Sequence, residues 1–384
     1  MTGPTERVRR VDRSSIRVMY DMAESTNRDL VRLEVGEPDF DTPAHVVEAA
    51  ADAARSGDTH YTANAGLPEL RRAIAGRMAT DFDVHVDPDE VVVTNGGMEA
   101  LHLAVLATVA PGEELLVPTP GWPNYASQAY LADAEPVEVP MPADEGYPLD
   151  PERVRNAMTA DTAAVVLCSP SNPTGRVYDE DAIREVVAAA ADHDAYVLAD
   201  EVYAGLAYDR DVTGIAALAD HPERVVTVNS CSKTYAMTGW RVGWLAAPSE
   251  IADEVTKIHE STTACAGSVA QRAALAALTG PQDPVEEMYE TFRERRDYVV
   301  DRVAGIDGLS CPRPEGAFYA FLDPDAEGTS LKIAEELLAD YGVVVAPGDG
   351  FGDAGAGQLR LSFANSMDRI ETGFDRIERF MNDR

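Results

Sequence analysis

Lys233 is the residue in this chain whose chemistry is hardest to replace. The sequence contains only three lysines, Lys233, Lys257 and Lys332, among 32 basic residues, so arginine occupies almost every other cationic position. Arginine supplies charge and paired hydrogen bonds, but only a primary amine forms a Schiff base with an aldehyde. Because most lysines are simply exposed surface residues, the flanking sequence has to decide whether Lys233 is a nucleophile.

The segment around Lys233 favours a chemical role. Val225–Ser230 is rich in β-branched residues and predicts a strand, and residues 241–247 predict a second one. Lys233 would then lie in a turn rich in Ser, Gly and Trp between two strands. The segment reads Ser230-Cys231-Ser232-Lys233-Thr234-Tyr235-Ala236-Met237-Thr238-Gly239-Trp240-Arg241-Val242-Gly243-Trp244.

Two other turns could hold a ligand. Gly96, Gly97 and Met98 lie between an apolar predicted strand and a helical pattern, where free backbone N–H groups and the helix dipole suit a phosphate. An ordinary tight turn is the simpler interpretation of a Gly pair. The second turn is rigid because of its prolines and offers the amide of Asn172, although a purely structural turn remains an equal alternative. It reads Ser169-Pro170-Ser171-Asn172-Pro173-Thr174-Gly175.

Asp200, Tyr203 and Arg360 are the remaining candidates. Asp200 ends a predicted strand, Tyr196–Asp200, at a position where open α/β sheets bind ligands. A carboxylate buried there needs a cationic partner such as a pyridinium nitrogen, whereas a helix N-cap is the structural alternative. Arg360 alternates within another predicted strand and could present its guanidinium to a carboxylate, although a strand arginine usually faces solvent.

The order of apolar segments predicts the fold that must position these residues. Between residues 42 and 279, helical patterns alternate with strands that are apolar throughout, as in a parallel sheet covered on both faces. We expect strands at 91–94, 114–118, 137–140, 163–169, 196–200, 225–230 and 242–246, with helices at 98–109 and 180–193.

The last hundred residues predict a smaller α+β domain. We expect a charged helix at 285–304, strands at 317–322, 343–346 and 358–363, and helices at 330–341 and 367–382. The N-terminal residues have little sheet character of their own and are assigned to the same domain. The predicted division is therefore a large domain of residues 42–279 and a small domain of residues 1–41 and 280–384.

Composition excludes several classes of function. The chain has 384 residues and a formal net charge of −35, from 67 acidic and 32 basic residues spread along its length. So large an acidic excess repels phosphate backbones and anionic membranes, which argues against both as partners. The four cysteines, Cys168, Cys231, Cys265 and Cys311, have no metal or disulfide spacing and predict small buried residues. Without an apolar stretch approaching 18 residues, the sequence predicts a cytoplasmic protein.

The combination of many acids with few lysines suits a protein that works in concentrated salt. At molar ionic strength, charges are screened over about 3 Å, so the repulsion between surface carboxylates is largely removed. We therefore expect a halophilic protein whose stability rises with salt.

Taken together, the segments resemble a known family. The blocks are similar to those of fold type I pyridoxal-phosphate enzymes, and within them to class I/II aminotransferases like aspartate aminotransferase. They are Ser-x-Ser-Lys-x-x-x-Met-x-Gly-Trp-Arg-x-Gly at 230–243, Asn-Pro-Thr-Gly at 172–175 and Val-Gly-Glu-Pro at 35–38. The resemblance extends nearly end to end, to Arg360. It implies a large domain with a mostly parallel seven-stranded sheet, a smaller α+β domain, and a pyridoxal 5'-phosphate-dependent exchange of an amino group between an L-amino acid and a 2-oxo acid.

The resemblance also implies a role for each candidate. Lys233 would bind the cofactor aldehyde covalently and then carry the proton between substrate and cofactor. Asp200 would pair with the pyridinium nitrogen, while Tyr203 and Asn172 would hydrogen-bond the phenolic oxygen of the ring. The phosphate would be held by the backbone of Gly96, Gly97 and Met98 and by the side chains of Ser230 and Arg241.

Residues of the cavity wall and of a second subunit complete the implied site. Trp122 matches the aromatic residue that stacks on the cofactor ring, and Tyr125 would support the pyridinium partner from behind. Arg360, helped by the backbone of Gly36, would bind the substrate α-carboxylate. Tyr61 matches a tyrosine that reaches the phosphate of the neighbouring subunit, which implies a homodimer with shared active sites.

The chain departs from the family's dicarboxylate pattern beside the phosphate. Met98 stands where the aspartate-using pattern has a lysine, and the segment 259–263 offers only His259 where other members have an arginine from the second subunit. Arg17 and Arg272 remain open as substitutes. A methionine there predicts an apolar or mixed amino donor, with 2-oxoglutarate, pyruvate or another 2-oxo acid as acceptor.

Two alternatives remain open at the level of sequence. β-Elimination or decarboxylation on the same cofactor also begins at the substrate Cα, and no single residue excludes either reaction. A catalytically silent binding protein is the other alternative. The joint presence of Lys233, Asp200, Tyr203 and Arg360 argues against it.

Overall fold

The computed structural model describes residues 3–26 and 28–384, so residues 1, 2 and 27 of the predicted small domain lie outside it. The strands are β1 Val31–Arg32, β2 Val91–Thr94, β3 Glu114–Thr119, β4 Glu135–Pro140, β5 Thr162–Cys168, β6 Tyr196–Asp200, β7 Val225–Ser230, β8 Gly243–Ala246, β9 Leu309–Ser310, β10 Tyr319–Pro324, β11 Val343–Val344, β12 Ala346–Pro347 and β13 Leu359–Ser362.

The helices of the structure include each of the five predicted helices. They are α1 Glu6–Arg10, α2 Ser15–Glu24, α3 Ala44–Ser56, α4 Pro68–Phe82, α5 Gly97–Thr108, α6 Asn124–Leu131, α7 Pro151–Ala157, α8 Glu180–Asp192, α9 Ile215–Leu218, α10 Ser249–Thr262, α11 Ser268–Thr279, α12 Asp283–Ala304, α13 Ser330–Glu336 and α14 Met367–Asn382. The predicted helix at 330–341 is α13 followed by a π-helical turn, Leu337–Tyr341.

Seven strands form the main sheet, in the order β2-β8-β7-β6-β5-β3-β4. β8 is antiparallel to both of its neighbours, and all other pairs are parallel. The predicted mostly parallel seven-stranded sheet is therefore confirmed. The antiparallel strand is the one that follows Lys233, since residues 231–242, which join β7 to β8, contain one 3-10 turn and no α-helix that could cross over the sheet.

Successive residues of the central strands pack on opposite faces of the sheet. In β5, Ala164 and Val166 belong to the apolar cluster that contains the buried face of α5. Val165 and Leu167 belong to a different cluster, which contains the buried face of α8. Because both faces are covered by helices, every position of such a strand is apolar, which is the pattern that the sequence shows.

Strands from the two ends of the chain form the smaller sheets. β12, β13, β10 and β9 make an antiparallel sheet in that order, and β1 pairs in parallel with β11. The prediction of one strand at 343–346 is wrong, because Val345 separates β11 from β12 and the two strands pair with different partners. These pairings support the proposed small domain of residues 1–41 and 280–384 beside a large domain of residues 42–279.

The candidate residues collect at one edge of the main sheet. β2, β3, β5, β6 and β7 run in the same direction, so their carboxyl ends share that edge. Gly97 follows β2, Trp122 follows β3, Asn172 follows β5, Asp200 ends β6 and Lys233 follows β7. Ligands of open α/β sheets bind at this edge.

The structure also bears on the predicted burial of the cysteines and on membrane-spanning helices. Cys168 and Cys231 are buried as predicted, whereas Cys265 and Cys311 are only partly buried, so the expectation for those two is wrong. Within residues 3–26 and 28–384, no helix is long and apolar enough to cross a membrane.

Candidate active site

A cavity of about 320 Å³ opens at the carboxyl edge of the main sheet. It contains every residue to which the resemblance assigns a role except Gly96 and Tyr61. The lining residues are Ile16, Gly36, Gly97, Met98, Trp122, Tyr125, Asn172, Asp200, Val202, Tyr203, Ser230, Ser232, Lys233, Thr238, Arg241, Tyr319 and Arg360.

The amine of Lys233 points into this cavity. Its Nζ donates a hydrogen bond to the backbone oxygen of Gly36 at 2.7 Å. Burial lowers the pKa of Lys233 to about 8, although the negative charge of Glu37 opposes the shift; the charge of Arg360 adds to it. A lysine with this pKa is partly neutral near pH 7 to 8, and a neutral amine is the nucleophilic form.

Asp200 is a buried carboxylate, 4% exposed, that lines the same cavity. Its Oδ2 accepts a hydrogen bond from Tyr125 Oη at 2.7 Å, and its Oδ1 accepts one from the Val202 N–H at 3.3 Å. Burial raises the pKa of Asp200. Because no lysine or arginine of the described residues forms an ion pair with it, the carboxylate suits a cation that arrives with a ligand.

The start of α5 has the geometry of a phosphate-binding turn. Gly96 has φ +89°, and a Cβ added to it would lie 2.5 Å from Arg241 Nη2, so the turn requires glycine. Gly97 and Met98 are the first two residues of α5, whose N–H groups an α-helix leaves without an internal partner, and both residues line the cavity. Gly97, Ser230 and Arg241 line the cavity. Arg241 is held there by hydrogen bonds from its guanidinium to the backbone oxygens of Thr238 and Asn95.

Arg360 is a buried cation, 2% exposed, whose hydrogen-bond partners are all neutral. Its Nη1 donates to Asn172 Oδ1 at 3.0 Å, and its Nη2 donates to the backbone oxygen of Glu34 at 2.5 Å. Its Nε is buried without a partner, and burial lowers the pKa of the guanidinium. A guanidinium desolvated in this way gains most from a carboxylate, with which it forms paired, charge-assisted bonds.

Aromatic side chains complete the cavity wall. The Trp122 and Tyr125 rings meet edge to face with their centroids 5.6 Å apart. Tyr203 and Tyr319 share a hydrogen bond between their hydroxyl oxygens at 2.8 Å. Trp122 lies in the loop between β3 and α6, where its ring can cover a planar ligand.

Two implied residues lie elsewhere, and several lining residues were not predicted. Gly96 shapes the turn behind Arg241, and Tyr61 is 89% exposed on the surface of the chain. Ser232 and Thr238 belong to the predicted lysine segment, so that segment was the signal for them. Nothing in the sequence around Ile16, Val202 or Tyr319 distinguishes them from ordinary apolar or aromatic core residues. The unpredicted lining residues are Ile16, Val202, Ser232, Thr238 and Tyr319.

Three side chains could have replaced the lysine that is missing at position 98, and none of them lines this cavity. His259 is fully buried, and its Nδ1 lies 2.8 Å from the backbone oxygen of Asn64. Arg272 is paired with Asp58 and Glu69. Arg17, paired with Asp21, is only adjacent in sequence to the lining residue Ile16.

This sheet edge, with an amine, an unpaired buried carboxylate and a phosphate-binding turn, has the arrangement of a fold type I pyridoxal-phosphate enzyme. Residues 28–377 match the family described as aminotransferase class I and II. The chain belongs to this family, and it is a pyridoxal-phosphate-dependent aminotransferase.

Proteins that resemble the chain along its full length agree with this conclusion. A putative aminotransferase of Bacillus subtilis is 42% identical, over 98% of this chain and 97% of that protein. A solved structure of aspartate aminotransferase from Thermus thermophilus with maleate superposes with a TM-score of 0.94 at 38% identity, covering 99% of this chain and all of that one. Alanine aminotransferase from Pyrococcus furiosus has a TM-score of 0.94 at 33% identity, covering all of both chains. These similarities favour amino-group transfer over elimination, decarboxylation or a silent binding role.

The residues that are present fit the cofactor of this family. The buried carboxylate of Asp200 lacks a cation, which the protonated ring nitrogen would provide. The N-terminus of α5 with Ser230 and Arg241 offers donors for a phosphate, and Lys233 offers an amine of lowered pKa. When bound, the cofactor supplies the sink for the electron pair left when the substrate Cα loses its proton.

Proposed function

We propose that this aminotransferase prefers amino donors with apolar or mixed side chains and passes the amino group to a 2-oxo acid. The observation that carries the proposal is the set of cations at the cavity: among the described residues, only Lys233, Arg241 and Arg360 line it. Each of the three has another role in the proposal, so none remains for a distal carboxylate.

Met98 lines the cavity at the position where a lysine would bind a distal substrate carboxylate. Its sulfur accepts a hydrogen bond from Gln128 Nε2 at 3.4 Å and lies 4.0 Å from Asn124 Nδ2. The wall on this side is therefore a polarisable thioether supported by neutral amides, which suits apolar and uncharged substrate side chains.

The roles of the other residues follow from their positions in the cavity. Lys233 moves the proton between the substrate Cα and the cofactor, since its amine is the only titratable nitrogen there with a pKa near neutrality. Asp200 holds the ring nitrogen in its protonated state, and Tyr203 and Asn172 bind the phenolic oxygen. The phosphate is bound by the backbone of Gly96, Gly97 and Met98 and the side chains of Ser230 and Arg241, and Trp122 covers the ring.

Substrate orientation depends on Arg360 and Gly36. The guanidinium of Arg360, which has neutral partners and a buried Nε without one, binds the α-carboxylate, which every amino acid and 2-oxo acid carries next to its reacting carbon. Gly36 lines the same cavity, and its backbone oxygen accepts the hydrogen bond from Lys233. This arrangement explains how one cavity receives donor and acceptor in turn, as a ping-pong exchange requires.

Aspartate is the second candidate donor. The Thermus thermophilus relative is named an aspartate aminotransferase, whereas the Pyrococcus furiosus relative is named an alanine aminotransferase, at nearly equal structural similarity. The names of these two relatives therefore do not decide between the donors, and the proposal rests on the residues that line the cavity.

A donor panel with two variants of Met98 tests the choice. We expect wild-type kcat/KM to be higher for alanine, leucine or methionine than for aspartate, in molar KCl. Met98→Lys adds a cation to the wall and should raise kcat/KM for aspartate relative to leucine about tenfold, the equivalent of one charge-assisted hydrogen bond. Met98→Leu, which keeps the size without the charge, should leave this ratio unchanged. A wild-type preference for aspartate would refute the proposal.

We further propose a cytoplasmic, halophilic homodimer. Tyr61 is 89% exposed on a single chain, which suits a side chain that completes the phosphate site of a second copy. The net charge of −35 makes both folding and association depend on screening. In molar KCl we expect a dimer by sedimentation and a melting temperature several degrees above that in dilute buffer. A monomer in salt, or equal melting temperatures, would contradict these expectations.

A further inference from the structure

Tyr319 lines the cavity but has no role in the proposed function. It is the first residue of β10 and is only 1% exposed. Burial raises the pKa of its hydroxyl, which therefore stays protonated and can donate a hydrogen bond. It is surrounded by Tyr203, Arg360 and Gly36, and the proposed function assigns a role to each of these three residues.

The hydroxyl of Tyr319 contacts the hydroxyl of Tyr203 at 2.8 Å. If Tyr203 donates its only proton to the phenolic oxygen of the cofactor ring, it can only accept from Tyr319. The two rings meet edge to face, with centroids 5.7 Å apart, so their relative orientation is fixed. The bond from Tyr319 thus points the Tyr203 proton into the cavity and, by polarising that hydroxyl, makes it a stronger donor.

The ring of Tyr319 contacts the guanidinium of Arg360. The carbon Cζ of Arg360 lies 4.4 Å from the ring centroid, and Phe351 contacts the same guanidinium from 5.1 Å. Strand pairing places this contact, because Tyr319 faces Ser362 across the β10–β13 ladder and Arg360 is two residues from Ser362 on the same face. The aromatic face holds the plane of a guanidinium that no carboxylate restrains.

Gly36 fits against Tyr319 only because it lacks a side chain. A Cβ added to Gly36 would lie 2.0 Å from the Tyr319 hydroxyl oxygen. The backbone oxygen of the same glycine accepts the hydrogen bond from Lys233. Tyr319 therefore contacts Tyr203, which is assigned to the cofactor ring, and Arg360, which is assigned to the substrate carboxylate. It also packs on Gly36, which accepts the hydrogen bond from the Lys233 amine.

We propose that Tyr319 is a positioning residue with two separable functions: its hydroxyl orients Tyr203 toward the cofactor, and its ring orients Arg360 toward the substrate carboxylate. This inference rests on the roles proposed for Tyr203 and Arg360. It predicts that removal of the hydroxyl and removal of the ring have different consequences.

Other charged groups near the hydroxyl pair remain constant in the test. The titratable and charged groups that face Tyr203, Tyr319 and the Lys233 amine are Glu37, Cys168, Asp200, Lys233, Arg241 and Arg360. Neither Tyr319→Phe nor Tyr319→Leu changes the charge of any of them, so a shift in a titration midpoint reports the lost hydroxyl or ring.

Tyr319→Phe tests the hydroxyl. We expect the pH midpoint of the bound cofactor's absorbance to rise on the order of 0.3 unit, because a weaker bond from Tyr203 leaves more negative charge on the ring oxygen. Tyr203→Phe removes that bond entirely and should raise the same midpoint about 1 unit. KM for donor and acceptor should be unchanged in Tyr319→Phe, since the ring remains under Arg360.

Tyr319→Leu tests the ring. We expect KM for every amino acid and 2-oxo acid to rise about fivefold beyond that of Tyr319→Phe, as loss of a cation–π contact allows. Tyr196 provides the matched control, because it also begins a strand and lies 5.4 Å below an arginine, Arg224, away from the cavity. Tyr196→Phe and Tyr196→Leu should leave both midpoint and KM unchanged. Thermal unfolding of each variant checks that it is folded.

The outcomes separate this inference from the proposed function. If Tyr203→Phe shifts the midpoint and Arg360→Lys raises KM while both Tyr319 variants behave as wild type, Tyr319 is not a positioning residue. If Tyr203→Phe and Arg360→Lys are themselves without effect, the roles assigned to those residues are wrong, and the inference fails with them. The inference is supported if Tyr203→Phe and both Tyr319 variants shift the midpoint, Arg360→Lys and Tyr319→Leu raise KM, Tyr319→Phe leaves KM unchanged, and the Tyr196 variants change neither.

Discussion

Replacing Lys233 with alanine is expected to lower kcat by on the order of 10⁴-fold or more for every amino donor, because the variant lacks the group that we propose moves the Cα proton. The expected loss exceeds that of any other single change in the cavity, since we propose that the same amine also binds the cofactor covalently. Single-turnover absorbance measurements with an amino donor should show no conversion of the bound cofactor on the time scale of the wild type.

Two other lysine variants sharpen this test. Lys233→Arg keeps a positive charge but cannot lose its proton near pH 8 or form the covalent bond, so it should be as inactive as the alanine variant. Lys257→Ala removes an exposed lysine that pairs with Glu254 and should retain wild-type activity. Activity of Lys233→Ala above a few per cent of wild type would show that another group moves the proton.

Replacing Arg360 with lysine is expected to lower kcat/KM about 10²-fold for donors and acceptors alike. The change preserves the charge but removes the planar pair of donors, and charge-assisted hydrogen bonds of this kind are worth about 1.5–3 kcal/mol each. The loss should appear mainly as a higher KM and should be similar for apolar and acidic donors, since all of them carry the α-carboxylate. Steady-state kinetics across the donor panel measures it.

A surface arginine supplies the control for Arg360→Lys. Arg184 pairs with Glu180 and Asp181 on the exposed face of α8, so Arg184→Lys should change neither kcat nor KM. If Arg360→Lys left KM unchanged for all donors, the α-carboxylate would have to bind elsewhere in the cavity.

Much of the fold follows from residue patterns because both faces of the main sheet are covered. Strands such as β5 and β6 are apolar at nearly every position, which is the pattern that a strand covered on both faces requires. The carboxyl ends of parallel strands lie at one edge, so the order of Asn172, Asp200 and Lys233 along the chain also predicted that they would meet.

The remaining features depend on contacts that leave no local trace in the sequence. β1 and β11 contain two residues each, too few to show an alternation of apolar and polar residues. The break at Val345 arises because β11 and β12 pair with different strands. Tyr319 looks like any aromatic residue at the start of a strand, and its importance comes from the side chains of Tyr203 and Arg360, which are distant in sequence. Ile16 reaches the cavity from α2, from which the sequence had offered only its neighbour Arg17.

The hydrogen bond from Arg360 to the backbone of Glu34 has a consequence for the order in which the protein is made. The two residues are separated by 326 positions, and synthesis proceeds at about 5–20 residues per second. Glu34 therefore leaves the ribosome tens of seconds before its partner. Gly36 packs against Tyr319, and β1 pairs with β11, so the N-terminal segment also acquires its native contacts late. We therefore expect the cavity to be completed only when almost the whole chain has been made.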